Sequence, residues 1–130
     1  MKAYRIYSGR KQDALELIEH TASKPTAREV RVRVRAVSLN YRDLMIAWGQ
    51  YPIASDPPPI AVADGAGEVI AVGPQVTRFK AMFEDLNWFV TAAKIRPTID
   101  RVFGFDQARE AYAYLEAAKH FGKVAIKVGD

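Results

Sequence analysis

The residues of this 130-residue chain that could do chemistry are glycines at Gly65, Gly67 and Gly73, two histidines, and scattered carboxylates and hydroxyls. A glycine-rich turn that opens a helix can hold phosphates through its backbone N–H groups. Gly65-Ala66-Gly67 does not meet the G-x-G-x-x-G spacing, because position 70 is Ile70, and a β-branched run follows where a helix is needed. It reads as a tight turn before a strand, served by glycine's backbone freedom, and no cofactor-binding residue is assigned. A catalytic zinc takes three nitrogen, sulfur or oxygen side chains at close range. His20 and His120 stand in unrelated contexts and the chain has no cysteine, so no metal ligand is assigned either. Glu84 and Asp85 are neighbours that point apart on a helix, and Glu110 and Glu116 are six residues apart. None of Ser8, Ser23, Ser38 and Ser55 sits in a G-x-S-x-G elbow. No independent catalytic constellation emerges.

The elements that would position these groups are legible. Ala3, Tyr4 and Ile6 mark a first strand and Leu15, Leu17 and Ile18 a second, with a polar turn over 8–13 between them. Val30 to Leu39 makes the clearest strand, with Val30, Val32, Val34 and Ala36 expected on an apolar face and Arg31, Arg33 and Arg35 on a solvated one. A short helix is expected over Tyr41–Trp48, closed by Gly49, then a loop carrying Pro52 and Pro57 to Pro59. Gly67 to Val72 forms another strand. Beyond it Met82, Phe83, Leu86, Phe89, Val90 and Ala93 follow helical spacing. A short strand over Thr98–Val102 precedes a helix over Gln107–Lys119, N-capped by Asp106, whose Ala108, Ala111, Tyr112, Leu115 and Ala118 share a face. Lys119 and His120 suit the negative end of that helix, Gly122 supplies its cap, and Phe121 to Val128 is the last strand.

Composition excludes several classes. A hydrophobic share of 49% with 26% charged residues describes a globular chain, and no apolar run approaches a membrane span. The alternating Met1–Tyr7 lacks the apolar core of a signal peptide. With no cysteine the expected compartment is the cytoplasm. A net charge of +4 invites a nucleic-acid reading, but the arginines alternate with valines on one strand and no nucleic-acid motif accompanies them. No nucleic-acid or membrane partner is expected.

Two runs flank a join near Lys80. Before it stand Asn40-Tyr41-Arg42-Asp43, Gly49-Gln50-Tyr51-Pro52, and the stretch Asp64 to Gly73. After it stand Met82 to Val90, Phe105 to Tyr112, and Phe121-Gly122-Lys123. Together they resemble the start and the end of a medium-chain dehydrogenase/reductase of the zinc-independent quinone oxidoreductase or alcohol dehydrogenase-like type. The resemblance implies a mainly β (α+β) fold, a GroES-like, partly open β-barrel with C-terminal helices. It implies one domain over 1–130, with the N-terminal barrel part in 1–80 joined directly to a helix–strand–helix–strand part in 81–130. In complete relatives a Rossmann nucleotide-binding domain that holds NADPH lies between these parts. Here it is missing, along with barrel strands that precede it.

By the same resemblance Asn40 and Tyr41 face the nicotinamide and substrate carbonyl, Tyr51 lines the cleft wall, and Asp43 sits nearby. A phenol or amide there could polarise a quinone or carbonyl oxygen. Zinc-dependent relatives carry a cysteine near Asn40 and a His-Glu pair where this chain has Ala63-Asp64. The expectation is a non-catalytic scaffold or interaction module without a cofactor of its own. The alternative is an oxidoreductase fragment that binds a small aromatic or quinone weakly, or works with a separate nucleotide-binding subunit. Missing strands leave unpaired edges, so a homodimer or strand-exchanged oligomer is expected, with the helix after Lys80 folding back directly onto the barrel.

Overall fold

The computed structural model describes residues 1–53, 55–61, 63–76 and 78–129, the side chains of 78–84 excepted. Apolar alternation builds a first antiparallel pair. Strand β1 (Lys2–Ile6) runs against β2 (Leu15–Glu19) from Lys2 opposite Glu19 to Ile6 opposite Leu15. The second sheet is organised by β3 (Val30–Leu39), the ten-residue strand that the sequence marks most clearly. With β4 (Asp64–Val72), β5 (Ile99–Phe103) and β6 (Lys123–Lys127) it forms a four-stranded sheet of order β4-β3-β6-β5.

Three helices complete the architecture: α1 (Tyr41–Ala47), α2 (Arg78–Ala92) and α3 (Ala108–Glu116). Strands β5 and β6 are parallel, with α3 as the connection that a parallel pair requires. The result is a strand-rich α+β fold in which the described strands close no barrel. The last strand closes onto the middle of the chain: β6 pairs antiparallel with β3 from Ala36 opposite Lys127 to Leu39 opposite Val124.

The core lies where α3 meets β5, β6 and α1. Ala108, Ala111, Tyr112 and Leu115 form its helical stripe, and Val124 and Ala111 are wholly inaccessible. Ile6, Leu15, Leu39, Leu44, Phe103 and Ile126 join the same cluster. Gly49, at φ +76°, ends α1 in the left-handed conformation that glycine adopts at least cost.

Six expectations are corrected. The apolar face of β3 does not run on to Ala36, because the register slips between Val34 and Ala36. The slip lets Val34 and Val37 approach Gly65 together, so Val37 and Leu39 take the inward positions. The Gly65–Gly67 stretch is no turn ahead of a strand: β4 already begins at Asp64. A Cβ on Gly67 would stand 2.1 Å from the Arg33 carbonyl oxygen, so glycine serves a close strand approach there.

Asp106 does not cap α3. A 3-10 turn over Phe105–Gln107 precedes that helix, and the Gln107 side chain accepts the Gly104 N–H at 3.0 Å. Helix α3 ends at Glu116, where Ala118 at φ +52° takes the left-handed position expected of Gly122; Ala118 itself is exposed rather than part of the buried stripe. Finally, the described side chains of α2 are not packed: every residue from Asp85 to Ala92 is exposed, with Trp88 at 72%.

The basic face of β3 is internally paired. Arg33 and Arg35 both reach Glu68, at 3.6 and 3.4 Å, and Arg31 donates to the carbonyls of Ala22 and Ser23. Among the described residues no helix is long and apolar enough to cross a membrane.

The slipped register has a direct test in urea denaturation. Val37→Ser should destabilise by about 1–3 kcal/mol through lost apolar burial, and Ala36→Ser by less than about 0.5 kcal/mol. The opposite ranking would restore uninterrupted alternation along β3.

Candidate functional site

The turn from β3 into α1 places Asn40 and Tyr41 at the start of a helix, and β6 brings Lys123 beside them. Asn40 precedes α1 with an extended backbone, φ −128° and ψ 160°. Its N–H donates to the Asp43 carboxylate at 2.8 Å, and the Asp43 N–H donates to the Asn40 carbonyl at 2.9 Å. An aspartate at the third helical position thus ties down an otherwise orphaned backbone donor.

The Asn40 side chain is engaged at both ends. Its Nδ2 donates to Asp64 Oδ2 at 2.7 Å and to the Ser38 carbonyl at 3.4 Å, and Lys123 Nζ donates to its Oδ1 at 2.8 Å. Both amide N–H groups therefore have partners, and one acceptor site is taken by an ammonium.

Tyr41 is 62% exposed and meets Trp48 edge-on, with ring centroids 5.8 Å apart. Trp48 is held in turn by a 3.2 Å hydrogen bond from its Nε1 to Glu116. Asn40, Tyr41, Trp48, Glu116, His120 and Lys123 line a hollow of about 430 Å³ between α1 and the end of α3. His120 is half-buried, its Nδ1 enclosed without a hydrogen-bond partner among the described residues. That is a departure from the surface position expected of it.

Asp43 lies behind the hollow, 2% exposed. Burial raises its pKa above the usual carboxylate value, opposed by the Asn40 N–H and by Arg42. Tyr112, also buried, has its hydroxyl pKa raised by burial and then by the Asp43 charge, and that hydroxyl has no partner among the described residues. Tyr51, 39% exposed, lies on the loop after Gly49 and does not line the hollow.

The structure thus brings Asn40, Tyr41 and Asp43 together and leaves Tyr51 apart. It adds Asp64, Trp48, Glu116 and Lys123, which the residue-by-residue reading did not select. Lys123 stood in the quoted Phe121-Gly122-Lys123 motif, but nothing local joins it to a residue 83 positions away.

Neither group associated with such folds fits these residues. Among the described residues no three of His, Cys, Asp and Glu come together, and the Lys123 ammonium at Asn40 would repel a cation. The glycines of β4 sit within a paired strand, and Gly67 faces Arg33 rather than an open cradle.

The profile of the zinc-binding dehydrogenase family matches residues 15–126, and the chain belongs to that family. A quinone oxidoreductase of Pseudomonas aeruginosa is 46% identical over 77 residues, which are 59% of this chain and 23% of that protein. The low-reducing polyketide synthase drtA of Aspergillus calidoustus is 38% identical over 96 residues, 69% of this chain and 4% of that one. Escherichia coli quinone oxidoreductase, solved as a complex with NADPH, superposes with a TM-score of 0.55 at 27% identity, over 60% of this chain and 24% of that structure. The chain therefore spans a quarter or less of each of these relatives.

Asp43 sets a pH dependence. Its raised pKa makes the ionised form costly in the fold, so its contribution to stability is fully present below the unfolded pKa and is lost as pH rises through the folded value. Asp43→Asn keeps an acceptor for the Asn40 N–H but cannot ionise. Its stability relative to wild type should improve from pH 4 to pH 7 in urea denaturation. A deficit that grows with pH would show that ionised Asp43 is favoured in the fold.

Proposed function

We propose that this chain is a non-catalytic, zinc-independent scaffold or interaction module, working in the cytoplasm. On this reading it derives from an NAD(P)H-dependent quinone oxidoreductase or alcohol dehydrogenase by loss of the nucleotide-binding domain. One observation carries the reading: the Asn40 amide is bound at both ends by Asp64 and Lys123 within the chain itself. An amide that polarises a substrate carbonyl must aim an unengaged donor at it, since such catalysis relies on donors preorganised toward developing charge. Positioning adds to the argument. Holding hydride donor and acceptor in attack geometry is worth about 7–11 kcal/mol, and among the described residues the glycines of β4 are taken up in strand pairing rather than in a nucleotide cradle.

A second reading rests on the hollow of about 430 Å³ beside Tyr41 and Trp48. Its size suits a small aromatic or quinone. In that reading the chain is an oxidoreductase fragment that keeps weak substrate binding or completes its site with a separate nucleotide-binding subunit.

Purified chain incubated with NADPH or NADH and a panel of quinones, enones and alcohols should show no nicotinamide oxidation above an expression-matched blank. NADPH should leave the amide resonances of Asn40 and Tyr41 unmoved. Saturable shifts at Tyr41 with a quinone alone would favour the second reading. Steady turnover abolished by Tyr41→Phe or Asn40→Ala would overturn the first.

A further inference from the structure

Apolar surface on this molecule is concentrated in two places that complement each other. One is a trough on the β3–β4 sheet. Val30, Val32 and Val34 share a face of β3, and Val72 and Val69 lie opposite Val30 and Val32. Of these Val32, Val34, Val69 and Val72 are 42%, 38%, 41% and 48% exposed. The trough continues past Val34 into a cavity of about 140 Å³ walled by Tyr4, Val37, Leu39, Phe105 and Ile126. An apolar cavity of about 150 Å³ accommodates a benzene ring.

The other place is α2. Leu86, Phe89, Val90 and Ala93 recur at helical spacing on one stripe. Leu86 and Phe89 are each 56% exposed, with Trp88 beside them at 72%.

A helix stripe laid on an apolar sheet face is the elementary layer of a folded domain, and one chain here displays both halves uncovered. The link before α2 is held at the far end of the trough, where the Gly73 N–H donates to the Glu29 carbonyl and the Gln75 N–H to that of Ala27. We propose that α2 of one copy seats its Leu86–Phe89–Val90 stripe in the β3–β4 trough of a second copy, reciprocally, with Phe89 in the cavity.

Such an exchange is self-complementary, so a two-fold axis closes it and no matching patch remains free. Its size is sufficient. With about 150–250 Å² for an aromatic residue and less for valine or leucine, the exposed fractions of stripe and trough amount to on the order of 500 Å² per copy. Two copies then reach about 1,000 Å², the size at which an interface becomes specific rather than casual. The pairing rests on the interaction-module reading and names its partner as the chain itself.

The absence of cysteine makes the test clean. Chains carrying Phe89→Cys and Val34→Cys, mixed and oxidised, should give a covalent heterodimer as the main product. A double variant that closes its disulfide within a monomer would show that α2 covers its own trough, and would overturn the proposal. In light scattering across a dilution series, Phe89→Asp should raise the dimer dissociation constant about 30-fold or more, as expected of a central anchor. Phe121→Asp, at a site 83% exposed but outside the trough, should leave it unchanged. A clean monomer at every concentration, or a dimer indifferent to Phe89→Asp, would also overturn it. A monomer without hydride transfer defeats only this pairing, whereas turnover by a dimer defeats only the non-catalytic reading.

Discussion

The antiparallel zipper between β3 and β6 is the interaction on which the rest of the molecule depends. It joins residues 36–39 to residues 124–127, segments separated by about two thirds of the chain. Contacts so distant in sequence carry a high loop-closure cost, which only extensive burial offsets. Val124 supplies that burial at zero accessibility, with Leu39 and Ile126 on either side at 3% and 4%. Once β6 is in place, β5 pairs alongside it and α3 is drawn onto the same core. The site follows, because the residue that opens β6 is Lys123, and the β3–β6 register sets it against Asn40.

How much of this was legible can be judged strand by strand. Period-two alternation placed β1, β2 and β3, and Gly49 placed the end of α1, because those signals are local. The bulge at the middle of β3 was not legible. It lies next to the close approach of Gly67 to the Arg33 carbonyl, a contact between residues 34 positions apart. Helix α2 was correctly read as a helix but wrongly as packed, since periodicity reports which face wants burial and not whether a cover exists. The polar site was half legible. Asn40, Tyr41 and Asp43 belong to one local turn, whereas Asp64 and Lys123 reach it only through strand pairing with β3.

Local chemistry also gives the residues of the family motif structural duties in this fold. Asp43 is retained by a structural duty, accepting the N–H that opens α1 while buried against the core. Burial raises its pKa, and the Asn40 N–H that it accepts opposes the rise. Asn40 forms a polar bridge across three strand ends, from Asp64 at the start of β4 to Lys123 at the start of β6. A fully satisfied polar network of this kind specifies geometry whether or not it binds anything.

The bridge has a weak side, and that side is β4. Its ion pairs to Arg33 and Arg35 are exposed, and surface pairs of this kind contribute about 0–1 kcal/mol. Its valines are open to solvent on the trough face. What holds it is chiefly the backbone ladder to β3, on the edge of the sheet away from the core. Local stability follows buried apolar contact, so β4 and α2 form the low-stability end of the molecule while α3, β5 and β6 form the high end. Asp64 belongs to the low end and Asn40 to the high one. A cover laid on the trough would add buried apolar contact to β4, the strand that carries Asp64 to the Asn40 amide. Through that one strand the polar site and the apolar face draw on the same local stability.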